Sequence, residues 1–454
     1  MGDKRMGKSI IVYVCGQCGY ESPKWLGKCP SCTAWNTLTE DVRAAGPGLQ
    51  HYQDNSCSIP ISEIAMEEEK RLSSGNMELD RILGGGIVPG SLILLGGDPG
   101  VGKSTLLLQT AQEMASSGLT ILYLSGEESL QQIKLRAERL NINHDRIFLL
   151  NEQSIESLEK HIKEINPHLV IVDSIQTVYV SGLSSIPGSV TQLRESTVRI
   201  AKLAKKSNRG FFLIGHVTKD GALAGPKVLE HMVDVVIYFE GEKNYSLRVL
   251  RSVKNRYGST DEIGLLEMSS SGLTEVRDPS FAFIDNHNQS VSGIAITPVY
   301  EGSRPFLVEI QALATPTGPG YARRMASGVD QNRLALIVAV LEKRLGIHLA
   351  GFDIYLKVSG GVFLKDPAVD LGMAAAIVSS YYDLPLPLDS VFAGEISLSG
   401  LINKASFLEI RLKEAERMGY KRAFISEHSR IPPGITGLEL VTIENIKSLG
   451  TIME

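Results

Sequence analysis

Gly97-Asp98-Pro99-Gly100-Val101-Gly102-Lys103-Ser104 joins an apolar run at 92–95 to an apolar helical stretch that begins at Lys103 and carries Thr105, Leu106 and Leu107. Glycines at 97, 100 and 102 let the backbone N–H groups turn inward, and the helix N-terminus adds the positive end of its dipole, so this loop is suited to cradle a phosphate. In such a cradle Lys103 reaches the β- and γ-phosphates of ATP and the Ser104 hydroxyl holds Mg²⁺, while the rest of 97–105 contacts the nucleotide. A second oxygen ligand is expected at Asp173, which ends the apolar run 169–172 about seventy residues later and would hold the Mg²⁺ shell through water or Ser104. Glu127 and Glu128 follow a third apolar run, and either could polarise the attacking water as general base; the same pair could instead be the acidic start of a helix at Leu130.

Two cations complete the candidate chemistry. Lys254 and Arg256 stand two residues apart on an expected strand, so their side chains share one side. Their distance in sequence from the phosphate loop suggests that they reach a nucleotide bound by an adjacent subunit; a solvated basic hairpin is the plainer reading. At the other end of the chain Cys15, Cys18, Cys29 and Cys32 form two C-x2-C pairs ten residues apart. Four thiolates close the coordination sphere of one Zn²⁺, a structural site without which so short a segment could not bury enough apolar surface to fold. Tyr20, Trp25 and Trp35 beside it could stack on bases or on a partner, or form a small aromatic core.

The elements that must carry these residues follow from the pattern of the chain. With 454 residues, two or three domains are expected. The spacing predicts a zinc finger over 1–40, a linker over 41–60, a nucleotide-binding α/β domain over 61–275, a second linker over 276–290 and a further α/β domain over 291–454. Within the central domain, strands are expected at 92–95, 121–124, 147–150, 169–172, 211–214 and 233–239, and helices at 103–116, 130–140, 155–165 and 190–206, the alternation of a parallel sheet with covering helices. A hydrophobic content of 43% and a charged content of 21% are those of a globular protein, and a net charge of −5 argues against a wholly basic nucleic-acid coat while allowing local basic stripes. The apolar run 10–14 is too short for a secretory signal, and no stretch approaches the ~20 apolar residues of a membrane span, so a cytoplasmic protein with no membrane partner is expected.

The phosphate loop, the glutamate pair after the second strand and Asp173 after the fourth together resemble the RecA-type ATPase core of recombinases, hexameric replicative helicases and circadian-clock ATPases. With Lys254-Asn255-Arg256-Tyr257-Gly258 and the four-cysteine finger added, the chain resembles the bacterial RadA (Sms) family of repair ATPases; Tyr257 stands where that family usually carries Phe. The resemblance implies an ATP-dependent DNA motor, branch-migrating or helicase-like. It would work as a hexameric homo-oligomer on single-stranded and branched DNA, with the RecA recombinase, in homologous recombination. It further implies that the loops at 174–192 and 217–227 face the centre of the ring, with Lys219 and Lys227 as DNA contacts and His216 as a polar sensor between γ-phosphate and DNA loop.

Beyond 276 an expected strand at Ile284, a helix at 332–345 and the segments 360–379 and 394–419 resemble the proteolytic domain of Lon. The nucleophile position of that resemblance falls on Ala368 and the lysine position on Glu409. A Ser-Lys mechanism needs a hydroxyl beside a low-pKa amine, so peptidase activity is not expected. The domain reads instead as a scaffold with a basic DNA-binding surface of Arg304, Arg323, Arg324, Lys343 and Arg344. The rival to a DNA motor is a RecA-like signalling or assembly ATPase that turns over without moving nucleic acid.

Overall fold

Alternating β-branched and aliphatic runs separated by helical repeats build the first of two units. The computed structural model describes residues 9–15, 20–30, 33–44, 60, 62, 70–183, 185–216, 227–241, 246–260, 262–284, 291–318, 321–431 and 433–450. The first unit spans 1–240, 250–260 and 268–274, and the second 241–249, 261–267 and 275–454. No helix among the described residues is long and apolar enough to cross a membrane.

Strands β1 (Ser9–Cys15), β2 (Glu21–Ser22) and β3 (Leu38–Ala44) make a small antiparallel sheet in the order β2-β1-β3. Cys15 and Cys29 are fully buried beside Leu38, whereas Trp25 and Trp35 are 54% and 70% exposed. The aromatic-core reading of the tryptophans is therefore replaced by a core of cysteine sulfur and leucine. Cys18 and Cys32 lie outside the described residues.

The nucleotide-binding part begins with α1 (Met77–Ile82), capped by Asn76, whose side chain accepts from Leu79 N. It continues through β4 (Leu92–Gly97), α2 (Lys103–Ser116), β5 (Ile121–Ser125), α3 (Leu130–Arg139), β6 (Ile147–Asn151), α4 (Ile155–Ile165), β7 (Leu169–Asp173), α5 (Val190–Ser207), β8 (Gly210–His216), α6 (Lys227–Met232) and β9 (Val235–Glu240). Then come β10 (Leu247–Asn255), β11 (Ile263–Ser269) and β12 (Gly272–Glu275). The nine-stranded sheet runs β12-β11-β10-β9-β4-β8-β7-β5-β6, and its six strands from β9 to β6 are parallel. Alternation sorts the faces. Leu92, Leu94, Leu122, Leu124, Val170 and Val172 join the core made with Leu158 of α4 and Leu193 and Ile200 of α5. Their neighbours Tyr123, Ser125, Ile171 and Asp173 take the opposite face.

The long stretch of the second unit, from residue 275 onward, opens with α7 (Pro279–Phe283), so part of the stretch expected as a linker is helix, and Ile284 ends that helix rather than forming a strand. The reason is Phe283, fully buried and stacked 5.1 Å from Phe306. Strands β13 (Ile294–Glu301), β14 (Arg304–Pro316) and β15 (Arg324–Ser327) precede α8 (Gln331–Val340), which ends in a π-helical turn at Leu341–Leu345. After β16 (Phe352–Val358) come α9 (Asp370–Tyr382), β17 (Ser390–Ala393), β18 (Glu395–Ile396), β19 (Ile402–Asn403), α10 (Leu408–Arg417), β20 (Arg422–Ser426) and β21 (Glu439–Ile443). The seven-stranded sheet runs β15-β16-β14-β13-β17-β20-β21, and Leu247, Val249, Ile263 and Leu265 share its core.

Candidate nucleotide and nucleic-acid site

The phosphate loop leaves the C-terminal end of β4 and enters α2, as its glycines require. Gly97, Gly100 and Gly102 all have positive φ, at 156°, 84° and 115°, and a Cβ on Gly97 would lie 2.3 Å from the Phe239 carbonyl oxygen. Lys103 opens α2 and is buried; its Nζ donates to the carbonyl oxygens of Gly97 at 2.7 Å and Asp98 at 3.0 Å. Burial lowers the Lys103 pKa, and the carboxylates of Asp173, Asp98 and Glu127 act against that shift. The charges of three carboxylates thus act on one ammonium. That excess of negative oxygen suits a hard divalent cation, and Ser104, in the first turn of the helix, adds a neutral oxygen to the set.

Asp173 ends β7 and is buried, and its Oδ2 accepts from the Tyr123 hydroxyl at 2.6 Å. Burial raises the Tyr123 pKa well above the usual phenol value and Asp173 raises it further, while the charge of Arg136 and, less, the Ser104 hydroxyl oppose the shift. Sequence reasoning missed Tyr123. Its signal is a phenol at the centre of the otherwise aliphatic Ile121 to Leu124, where a buried hydroxyl needs a partner.

The two glutamates separate in space. Gly126 allows this, because a Cβ there would sit 2.1 Å from Thr177 Oγ1; its N–H donates to Asp173 O at 2.9 Å. That close approach brings Ser174 to Glu127, whose Oε1 accepts from Ser174 Oγ at 2.5 Å and lies 3.5 Å from His216 Nε2. Glu128 turns away to α3 and pairs with Arg136. Of the two, it is the Glu127 carboxylate that acts on the Lys103 ammonium alongside Asp173.

Lys254 and Arg256 converge on the corner between α6 and β9. Lys254 Nζ donates to Glu230 O and Val233 O, both at 2.7 Å, near the C-terminal end of α6, where helix carbonyls lack internal partners. Burial lowers the Lys254 pKa, and Arg256 lowers it further. Arg256 Nη1 donates to Asp234 Oδ1 at 2.8 Å. Asp234 is buried and clamped to the first residue of β4: its Oδ2 accepts from Leu92 N at 3.1 Å and its N–H donates to Leu92 O at 2.9 Å. The rest of the motif is structural. Asn255 Nδ2 donates to Ile82 O at 3.0 Å, Tyr257 O accepts from Arg71 at 2.9 Å, and a Cβ on Gly258 would meet Gly84 Cα at 3.0 Å.

The expected nucleic-acid contacts are placed unequally. Lys219 lies outside the described residues, and Lys227 begins α6. Gln192, in the first turn of α5, is buried and accepts from Val180 N at 3.0 Å, which ties the loop that follows Asp173 to that helix. In the second unit the basic surface is not assembled as expected. Arg304 begins β14 and donates to Arg277 O at 3.3 Å, whereas Arg323 precedes β15, whose partner β16 pairs with the far end of β14. Thirteen residues of β14 separate the two ends by about 40 Å. Arg324 is spent on the carbonyls of Leu349, at 2.8 Å, and Phe352, at 2.5 Å. Arg344 Nε donates to Leu398 O at 3.4 Å, while the side chains of Arg323 and Lys343 are exposed.

Ala368 is buried in a short turn at Pro367–Val369, and Glu409 pairs with Lys413 on the surface of α10 at 2.6 Å. The two segments are instead joined by a buried ion pair: Arg411 Nη1 donates to Asp366 Oδ2 at 2.5 Å and to Pro298 O at 2.7 Å. Neither a nucleophile nor its base stands at the two positions.

The chain is similar to known proteins along almost all of its length. Residues 62–222 match the AAA domain family, and residues 13–40 match the rubredoxin metal binding domain family. The chain is 48% identical over 450 residues to the DNA repair protein RadA of Bacillus subtilis, covering 97% of this chain and 98% of that one. It is 47% identical over 446 residues to the protein of the same name from Listeria monocytogenes, covering 97% of each. Among solved structures, a KaiC-like protein from Pyrococcus horikoshii is 19% identical, with a TM-score of 0.39 over 46% of this chain and 99% of that one, a likeness too distant to argue from.

Proposed function

This chain belongs to the family of the bacterial DNA repair protein RadA, RecA-type ATPases with an N-terminal metal-binding ribbon, and from that premise we propose a DNA motor driven by Mg²⁺-ATP. The motor is a hexameric ring in the cytoplasm. It moves along single-stranded and branched DNA, performs branch migration during homologous recombination, and cooperates with the RecA recombinase. Cys15, Cys18, Cys29 and Cys32 hold Zn²⁺ in the ribbon. Ser104 and Asp173 hold Mg²⁺, which supplies neutralisation of phosphate charge when bound.

The observation that carries this reading is the placement of Arg256. It is anchored through Asp234 to Leu92, the start of β4, while the phosphate loop leaves the end of that strand at Gly97, about 17 Å away. A cation at the wrong end of its own sheet acts on a neighbour's nucleotide. Lys254 and Arg256 then serve as trans fingers against the charge that develops on the transferred phosphoryl group. Within each site Lys103 binds the β- and γ-phosphates, and Glu127 takes the proton of the attacking water. Glu128 is held by Arg136 and plays no part in that transfer. Arg323 and the loops at 174–192 and 217–227 supply DNA contacts.

The test is ATP turnover with and without single-stranded DNA, together with the resolution of a branched DNA, comparing the native chain with Lys103→Ala. The native chain is expected to be stimulated by DNA and to resolve the branch only with ATP, and the variant to do neither. Turnover indifferent to DNA, with no ATP-dependent branch resolution, would identify an assembly ATPase instead.

A further inference from the structure

A buried phenol stands against Asp173, one of the two oxygen ligands assigned to Mg²⁺. Tyr123 is the middle residue of β5 and is buried, pairing with Leu149 of β6 on one side and Ile171 of β7 on the other. A phenylalanine would fill the same volume among these aliphatic neighbours without the desolvation cost of a hydroxyl. The oxygen that distinguishes tyrosine is engaged at the site: it donates to Asp173 Oδ2 at 2.6 Å.

Resting on the ATPase reading above, we propose that Tyr123 is a positioning residue for the metal site. Its hydroxyl fixes the plane of the Asp173 carboxylate by one oxygen, leaving the other for the metal shell. Outer partners of metal ligands commonly act in this way, by restricting the ligand to its binding orientation before the ion arrives. The phenol acts through its bond to Asp173, so its effect belongs to Mg²⁺ affinity rather than to the chemical step.

The experiment is equilibrium binding of a fluorescent ATP analogue to the full chain, titrated with Mg²⁺, for the native protein and Tyr123→Phe. The variant is expected to need roughly 10-fold more Mg²⁺ for half of the metal-dependent gain in affinity, with unchanged affinity in chelator. A native Mg²⁺ midpoint in the variant overturns the proposal. So does an equal loss of affinity with and without Mg²⁺, which is the mark of a packing role alone. A native chain whose nucleotide binding ignores Mg²⁺ would sink the metal-site reading itself, before any variant is compared. Should Tyr123→Phe not fold, infrared difference spectra of native protein labelled at Tyr123 carry the test. Mg²⁺ added to the nucleotide complex must shift the phenol C–O stretch, and an unmoved band overturns the proposal.

Discussion

Arg256 donates to Asp234 across 2.8 Å, and Asp234 in turn is tied to Leu92, so this guanidinium is held at the end of the sheet that its own phosphate loop does not occupy. Removing it should not disturb nucleotide binding within the chain. Arg256→Ala is expected to retain ATP affinity and to lose about 10³-fold or more in kcat. Asp234 keeps its bond from Leu92 N but loses its cation while buried, so the variant is also expected to lose stability and is assayed where its denaturation curve shows it folded. Equilibrium nucleotide binding measured beside steady-state turnover checks both halves; a parallel loss of the two would place Arg256 in its own chain's site.

The separation of Glu127 from Glu128 gives a second expectation. Glu127→Gln should lower kcat by about 10²–10⁴-fold while ATP still binds, as expected for loss of a general base. Glu128→Gln breaks a part-exposed pair with Arg136 and should cost little in turnover. Single-turnover hydrolysis of bound ATP distinguishes them, and equal losses in both variants would contradict the assignment.

Much of this site could be read from the sequence, and the exceptions have physical causes. The helices at 103–116 and 155–165 have the predicted bounds, because apolar periodicity and turn residues agree there. Choosing between adjacent glutamates needed the fold. Arg136, eight residues on, captures Glu128, and Gly126 lets Thr177 and Ser174 close on the other side. Tyr123 was hidden because a lone tyrosine in a strand usually signals packing. The spacing of the basic residues needed the fold as well: sequence shows charge but not the length of the strand that keeps Arg304 and Arg323 apart. Phe283, whose burial makes a helix of an apparent linker, gave no periodic signal in so short an element.

Acid stability should report the joint between α4 and α5. Burial raises the Glu156 pKa, but hydrogen bonds from Ser154, its own backbone, Ser181 and the charge of Arg199 outweigh it and hold the carboxyl at about 2, below its ordinary 4.5. A depressed carboxyl contributes stability above pH 4.5 and loses it as pH falls toward about 2. Urea melts across that window should show native stability falling more steeply than that of Glu156→Gln. Parallel curves would contradict the linkage.

In the second unit the Arg411–Asp366 pair should be structural. Arg411→Ala leaves the Asp366 carboxylate buried with its charge uncompensated, and a loss of about 3–5 kcal/mol is expected. Denaturant unfolding of the full chain measures it, and a loss within the range of surface pairs would show that water replaces the guanidinium.

The central claim is that one chain's nucleotide is cleaved with help from the next chain's Arg256. Its most direct test mixes two inactive proteins, Lys103→Ala and Arg256→Ala, and follows ATP hydrolysis. Seams that join an intact loop to an intact arginine form only in mixed rings, so activity should reappear on mixing and vary with the ratio of the two chains. A mixture as inactive as either variant alone, although mixed rings are shown to form, would contradict catalysis across the seam.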